Sequence, residues 1–175
     1  HSRRRWLHPV ASRLALSAGA LLSGGWWLDS PVASAGATNI RVIRVDPLGD
    51  VTTPSQAARK AKDGDTVEIE PGVYRADATV WPQAALRIRA RVPGTVRLVA
   101  EGAHAEQKGI WVLRDGDFQI EGIAFEGARV PHANGAGIRF ERGSLRLSQC
   151  RFADNEMGIL TSNDPNATLV IERCE

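Results

Sequence analysis

The sequence predicts an all-β chain wound as a parallel β-helix, a solenoid, with a short capping helix at its N-terminal end. Three observations predict it. One segment recurs as Gly109-Ile110-Trp111-Val112, Gly137-Ile138-Arg139-Phe140 and Gly158-Ile159-Leu160-Thr161, at spacings of 28 and 21 residues. A second segment follows each copy, running Phe118 to Ile123, Leu145 to Cys150 and Leu169 to Cys174, at spacings of 27 and 24. The gaps hold Gly, Asn, Asp and Pro and carry no helical pattern. Two segments that recur in one order at similar periods mark a repeat architecture. Each alternates apolar and polar residues, which is the period of a half-buried strand. Without helices between the strands a doubly wound α/β sheet is disfavoured. Short gaps suit a chain that lays one strand on each side and returns to the first.

Residues 1–37 read as an export signal and its cleavage region. Arg3, Arg4 and Arg5 precede the 15-residue apolar run LALSAGALLSGGWWL at 14–28, and Ala33-Ser34-Ala35 places small residues at −3 and −1. Basic, apolar, small is the order of a secretory signal. The run is shorter than the roughly 20 residues of a membrane span, so an uncleaved anchor is the lesser alternative. Ser2-Arg3-Arg4-Arg5-Trp6-Leu7-His8 resembles a twin-arginine pattern with Trp for Phe and His for Lys, and an ordinary Sec signal fits as well. Either route predicts a bacterial exported protein, periplasmic or secreted, with membrane contact only through this segment.

Residues 38–175 are the expected N-terminal coils of the β-helix. The chain has no initiator Met and stops at Cys174-Glu175 inside an expected strand, so the coils are expected to continue beyond it. Taking Arg3, Arg4, Arg5, Arg13 and Asp29 from totals of 22 basic and 20 acidic residues leaves 18 and 19, a near-neutral body. That argues against nucleic acid, which needs a concentrated basic face. Hydrophobic residues at 43% allow a packed core.

The first element is the cap. Thr53 is an N-cap residue, Pro54 suits N1, and Gln56 to Ala61 are helix formers until Asp63-Gly64-Asp65 stops them. A solenoid needs its open end covered, and Ala57, Ala58 and Ala61 offer an apolar side for that. Strands follow near 66–70, 86–90, 96–100, 110–112, 118–121, 138–140, 145–149, 159–161 and 169–173, parallel and in register in three short sheets. Aligning the repeats predicts three interior columns: Ile110, Ile138 and Ile159; Phe125 and Phe152; and Ile123, Cys150 and Cys174. Stacked cysteine side chains run parallel, so two buried free thiols are expected rather than a bridge.

The runs TPSQAARKAKDGDTVEIEPGVY, KGIWV, NGAGIR and CRFADNEMGILTSNDPN resemble right-handed parallel β-helix proteins of the pectin-lyase-like superfamily, over roughly residues 45–175. The resemblance implies a right-handed winding. That superfamily includes polysaccharide lyases, epimerases, polygalacturonases and proteins without demonstrated activity, so it implies acidic polysaccharide as the partner without fixing a reaction. Lyase chemistry on this fold needs a cation to neutralise a uronate carboxylate and a base to take the α-proton.

The residues that could supply those roles are few. The outward positions of the first segment read Trp111, Arg139 and Leu160; Trp111 would stack on a sugar and Arg139 would pair with its carboxylate. Lys108, Arg129, His132 and Arg139 form the one group mixing cations with a histidine, with Lys108 or His132 as base and Arg129 or Arg139 as carboxylate partner. Val130-Pro131-His132-Ala133 sits in the longest turn of the repeats, where function concentrates. Each also has an ordinary reading, as a solvated surface residue or a polar loop. Asn134 and Asn155 read as turn-satisfying residues. No metal site or cofactor is visible; Ca²⁺ would have to draw on residues downstream, because the outward column holds no carboxylate. The expected function is an exported β-helix acting on or binding an acidic polysaccharide, lyase- or epimerase-like. The alternative is a non-catalytic β-helix binding a glycan or a cell-surface partner. Whether the chain is an enzyme stays open at this point.

Overall fold

A computed structural model describes residues 40–175 of the chain. The predicted export signal over 1–37 lies outside the described residues. The chain begins with β1 (Val42–Val45) and the helix α1 (Pro54–Lys60). It then lays down β2 (Thr66–Ile69), β3 (Gly72–Arg75) and β4 (Thr79–Trp81), followed by β5 (Ala85–Ala90), β6 (Val96–Val99) and β7 (Gly109–Leu113). Next come β8 (Gly116–Glu121), β9 (Ile123–Glu126) and β10 (Ala136–Phe140), then β11 (Gly143–Ser148), β12 (Arg151–Ala153) and β13 (Met157–Thr161), and last β14 (Thr168–Glu172). The strands form three sheets: β1-β2-β5-β8-β11-β14, β3-β6-β9-β12 and β4-β7-β10-β13. From β2 onward the chain visits the three sheets in fixed rotation, and every neighbouring pair is parallel. All nine predicted strands are present; β1, β3, β4, β9 and β12 are additional.

The helix forms where its capping chemistry says it should. Thr53 is extended (φ −138°, ψ 154°) and its hydroxyl accepts from the Gln56 N–H at 3.3 Å. Gln56 reaches back to the Thr52 N–H at 2.8 Å, so one side chain and one cap satisfy two otherwise orphaned donors. The predicted apolar side is the buried one: Ala57 and Ala58 are in the core and Ala61 packs against it. The buried Gln83 ties the last turn down, its amide donating to the carbonyls of Ala58 and Ala61 at 2.9 and 3.1 Å. α1 thereby covers the first end of the strand stack beside β1 and β4.

The interior is built from in-register columns. Ile43, Val67, Ile88, Ile120, Leu147 and Ile171 run through the six-stranded sheet. Tyr74, Leu98, Phe125 and Phe152 run through a second. The predicted Phe125–Phe152 pair is present, stacked with centroids 5.3 Å apart and planes 9° off parallel. Cys150 and Cys174 are adjacent free thiols, the Cys150 N–H lying 3.4 Å from the Cys174 Sγ.

One column is corrected. Ile138 pairs with Ile159 as predicted, yet its other partner is Trp111 and not Ile110. The aligned glycines misled the register: Gly109 stands level with Ala136, one residue before Gly137. A Cβ on Gly109 would lie 2.2 Å from the Ala136 carbonyl oxygen, so the position is dictated by close backbone approach and not by repeat phase. A one-residue slip exchanges faces. Trp111 gains more from burial than Ile110 would at that place, and it sits edge-on between Trp81 (5.2 Å) and Phe125 (5.0 Å).

Candidate functional site

Of the predicted site residues, Arg139 lies on the outer face of the sheet β4-β7-β10-β13. Ile138 and Phe140 go into the core, so Arg139 between them projects outward. Its neighbours in register are Val112 and Leu160, and beyond Val112 stands Val80. This column holds no carboxylate. Among the eight arginines on the described strands, Arg139 alone has no carboxylate partner: Arg44, Arg75, Arg87, Arg89, Arg97, Arg146 and Arg151 all have one. The Arg139 residue is half-buried and its Nε is buried without a hydrogen-bond partner.

Trp111 is not beside Arg139 and is not at the surface. It is fully buried in the core, for the register reason given above, and cannot stack on a bound sugar. Lys108 is also redirected. Its ammonium lies 2.5 Å from Glu141 and 3.3 Å from Glu106. Arg114 closes the same ring, 3.2 Å from Glu141 and paired with Glu106. The hydrogen bond to Glu141, more than Glu106, raises the Lys108 pKa above its ordinary value. Burial pushes Glu141 up, but Lys108 and Arg114 together hold it below the usual carboxylate range. Its two carboxylate partners favour the protonated form of this ammonium. The ring is charge-balanced, two cations against two carboxylates.

Arg129 pairs with Asp154 at 2.8 Å and also donates to the carbonyls of Ala128 and Asp154. It is a loop brace before it is a ligand contact. His132 is exposed on the 127–135 connection, within a turn closed by the Ala133 N–H on the Val130 carbonyl at 3.0 Å. Asn155 does the turn work expected of it: Oδ1 accepts from the Ala128 N–H and Nδ2 donates to the Phe125 carbonyl, both at 2.9 Å. Asn134 is exposed. The residue that sequence reasoning missed is Glu156, whose Oε2 accepts from the N–H groups of Val130 (3.1 Å) and Gly135 (2.6 Å). An exposed-looking acidic residue before a strand carries no signal of that role.

Among the described residues no group of three or more His, Cys, Asp or Glu is placed to hold a metal ion, and no helix is long and apolar enough to cross a membrane. The chain matches no family model, no curated protein and no solved structure.

Proposed function

We propose that this chain is an exported right-handed parallel β-helix of pectin-lyase-like character that binds an acidic polysaccharide through the outer face around Arg139. The observation that carries the reading is the unpaired guanidinium. Elsewhere on the described strands each arginine is paired with a neighbouring glutamate, so a lone half-buried cation is available to an external anion. A guanidinium offers a planar carboxylate two parallel hydrogen bonds, which an ammonium cannot do. The partly exposed Val80 and Leu160 in the same column provide apolar surface for the C–H face of a sugar ring. Binding is favoured over lyase or epimerase chemistry because Lys108 is held as an ammonium. His132 is then the base candidate that the set retains.

Arg139→Lys in the full-length protein should weaken binding to polygalacturonate or alginate by roughly tenfold, the size expected for losing one charge-assisted hydrogen bond. The melting temperature should stay nearly unchanged, because the side chain projects from the sheet. Equal binding by the Lys variant, or equal wild-type affinity for a fully esterified polymer, would sink the reading.

A further inference from the structure

The connection of residues 127–135 is held mainly by three consecutive residues of the following circuit, with the Gly127 N–H on the Ala153 carbonyl and the Met157 N–H on the Gly135 carbonyl at its two ends. Asp154 grips the Arg129 guanidinium. Asn155 bridges the Ala128 N–H and the Phe125 carbonyl. Glu156 donates its own N–H to the Ala128 carbonyl at 3.1 Å, while its carboxylate takes the N–H groups of Val130 and Gly135. These two N–H groups stand at opposite ends of the turn that bears His132. A single oxygen that accepts from both draws the ends together. The fit is tight: a Cβ on Gly135 would lie 2.9 Å from the Arg129 backbone and from the Glu156 Oε2. Gly135 leads directly into β10, which carries Arg139.

We infer that Glu156 is the positioning residue of this rim, setting where Arg129 and His132 stand relative to Arg139. The inference rests on the reading of Arg139 as the anion-binding residue. The role follows from the acceptor geometry and not from the negative charge as such. A carboxylate oxygen that meets two backbone donors orders six residues of chain with one side chain, and a neutral amide oxygen in the same place can do the same. Because its hydrogen-bonding capacity points into the loop, Glu156 organises an anion-binding rim while its own charge is engaged by backbone dipoles.

The test combines amide exchange with binding in the full-length protein. In Glu156→Ala the Val130 and Gly135 amides should exchange about tenfold faster or more, as local opening becomes easier, while core amides are unchanged. Glu156→Gln keeps an acceptor and should restore slow exchange. Polygalacturonate binding should fall in Glu156→Ala and recover in Glu156→Gln, a rescue that a general loss of stability would not produce. Unchanged exchange of both amides in Glu156→Ala overturns the inference. So does fast exchange with wild-type binding, which would show that the rim does not contribute to the site. Arg139→Gln separates the two ideas: if it binds as the wild type does, the anion-site reading fails, whereas the exchange of Val130 and Gly135 still decides whether Glu156 holds the loop.

Discussion

The two ends of the strand stack are made from the same kinds of residues and have different burial. At the first end, Val45, Val67 and Ile69 are fully buried, and α1 packs on β1 and β4. At the last, Phe152, Ile159 and Leu169 are only partly buried, and Ile171 and Met157 are 51% and 43% exposed. The columns make the contrast direct. Phe125 and Ile138 are 0% exposed, while their register partners Phe152 and Ile159 one strand further on are not closed over. Leu147 is 0% exposed and its partner Ile171 lies open. In a stack of this kind a residue is buried by the strand that follows it as much as by its own. The helix replaces a missing strand layer at one end; nothing described replaces it at the other.

The largest test of that contrast lies in the phenylalanine column. Phe125→Ala should cost about 3–5 kcal/mol, the usual loss for a fully buried aromatic. Phe152→Ala should cost about 1–2 kcal/mol, because part of its ring already faces water. Urea unfolding of the two variants measures the difference; equal losses would mean that the last circuit is covered in solution.

A second test uses the repeat glycines. A Cβ on Gly137 would come within 2.9 Å of the Gly158 carbonyl oxygen and of the Phe152 ring, whereas a Cβ on Gly158 meets only the Phe152 side chain at 3.4 Å. Gly137→Ala should therefore destabilise by about 1–3 kcal/mol through overpacking, and Gly158→Ala by no more than about 0.5 kcal/mol. Thermal melts that rank the pair the other way would contradict the register.

The smallest effect concerns the thiols. Burial pushes the Cys150 thiol up to about 11, so its reactive thiolate is absent until the solution approaches that pH. At pH 8 a thiol reagent should modify the more exposed Cys174 first and leave Cys150 protected in the native state. Equal rates would show that the last circuit opens.

Much of the stacking was legible in the chain. The alternation around Ile138, Leu145 and Leu169 is a local property, because a strand with one apolar face has period 2 wherever it lies. The N-cap at Thr53 was legible for the same reason: capping is decided within four residues. The short strands β1, β3, β4, β9 and β12 were not, since three or four residues such as Arg151–Ala153 carry too little pattern to stand out from a turn. The site was less legible still. Arg139 could be seen to alternate outward, but whether a carboxylate meets it depends on strands 21 to 28 residues away.

By itself, then, the sequence determined nine of the strands, the parallel repeat, the helix cap and the pairing of Phe125 with Phe152, all of which follow from local periodicity and from segments recurring in fixed order. Only the tertiary structure decided the register at Gly109, and with it that Trp111 is core and not surface. Only the tertiary structure decided that Lys108 belongs to Glu106 and Glu141, that Glu156 closes the loop over Val130 and Gly135, and that Arg139 is left without a partner. Phase between strands is set by how closely two backbones can approach, and charge pairing by which side chains the winding brings together. Neither quantity is contained in the order of residues along one strand.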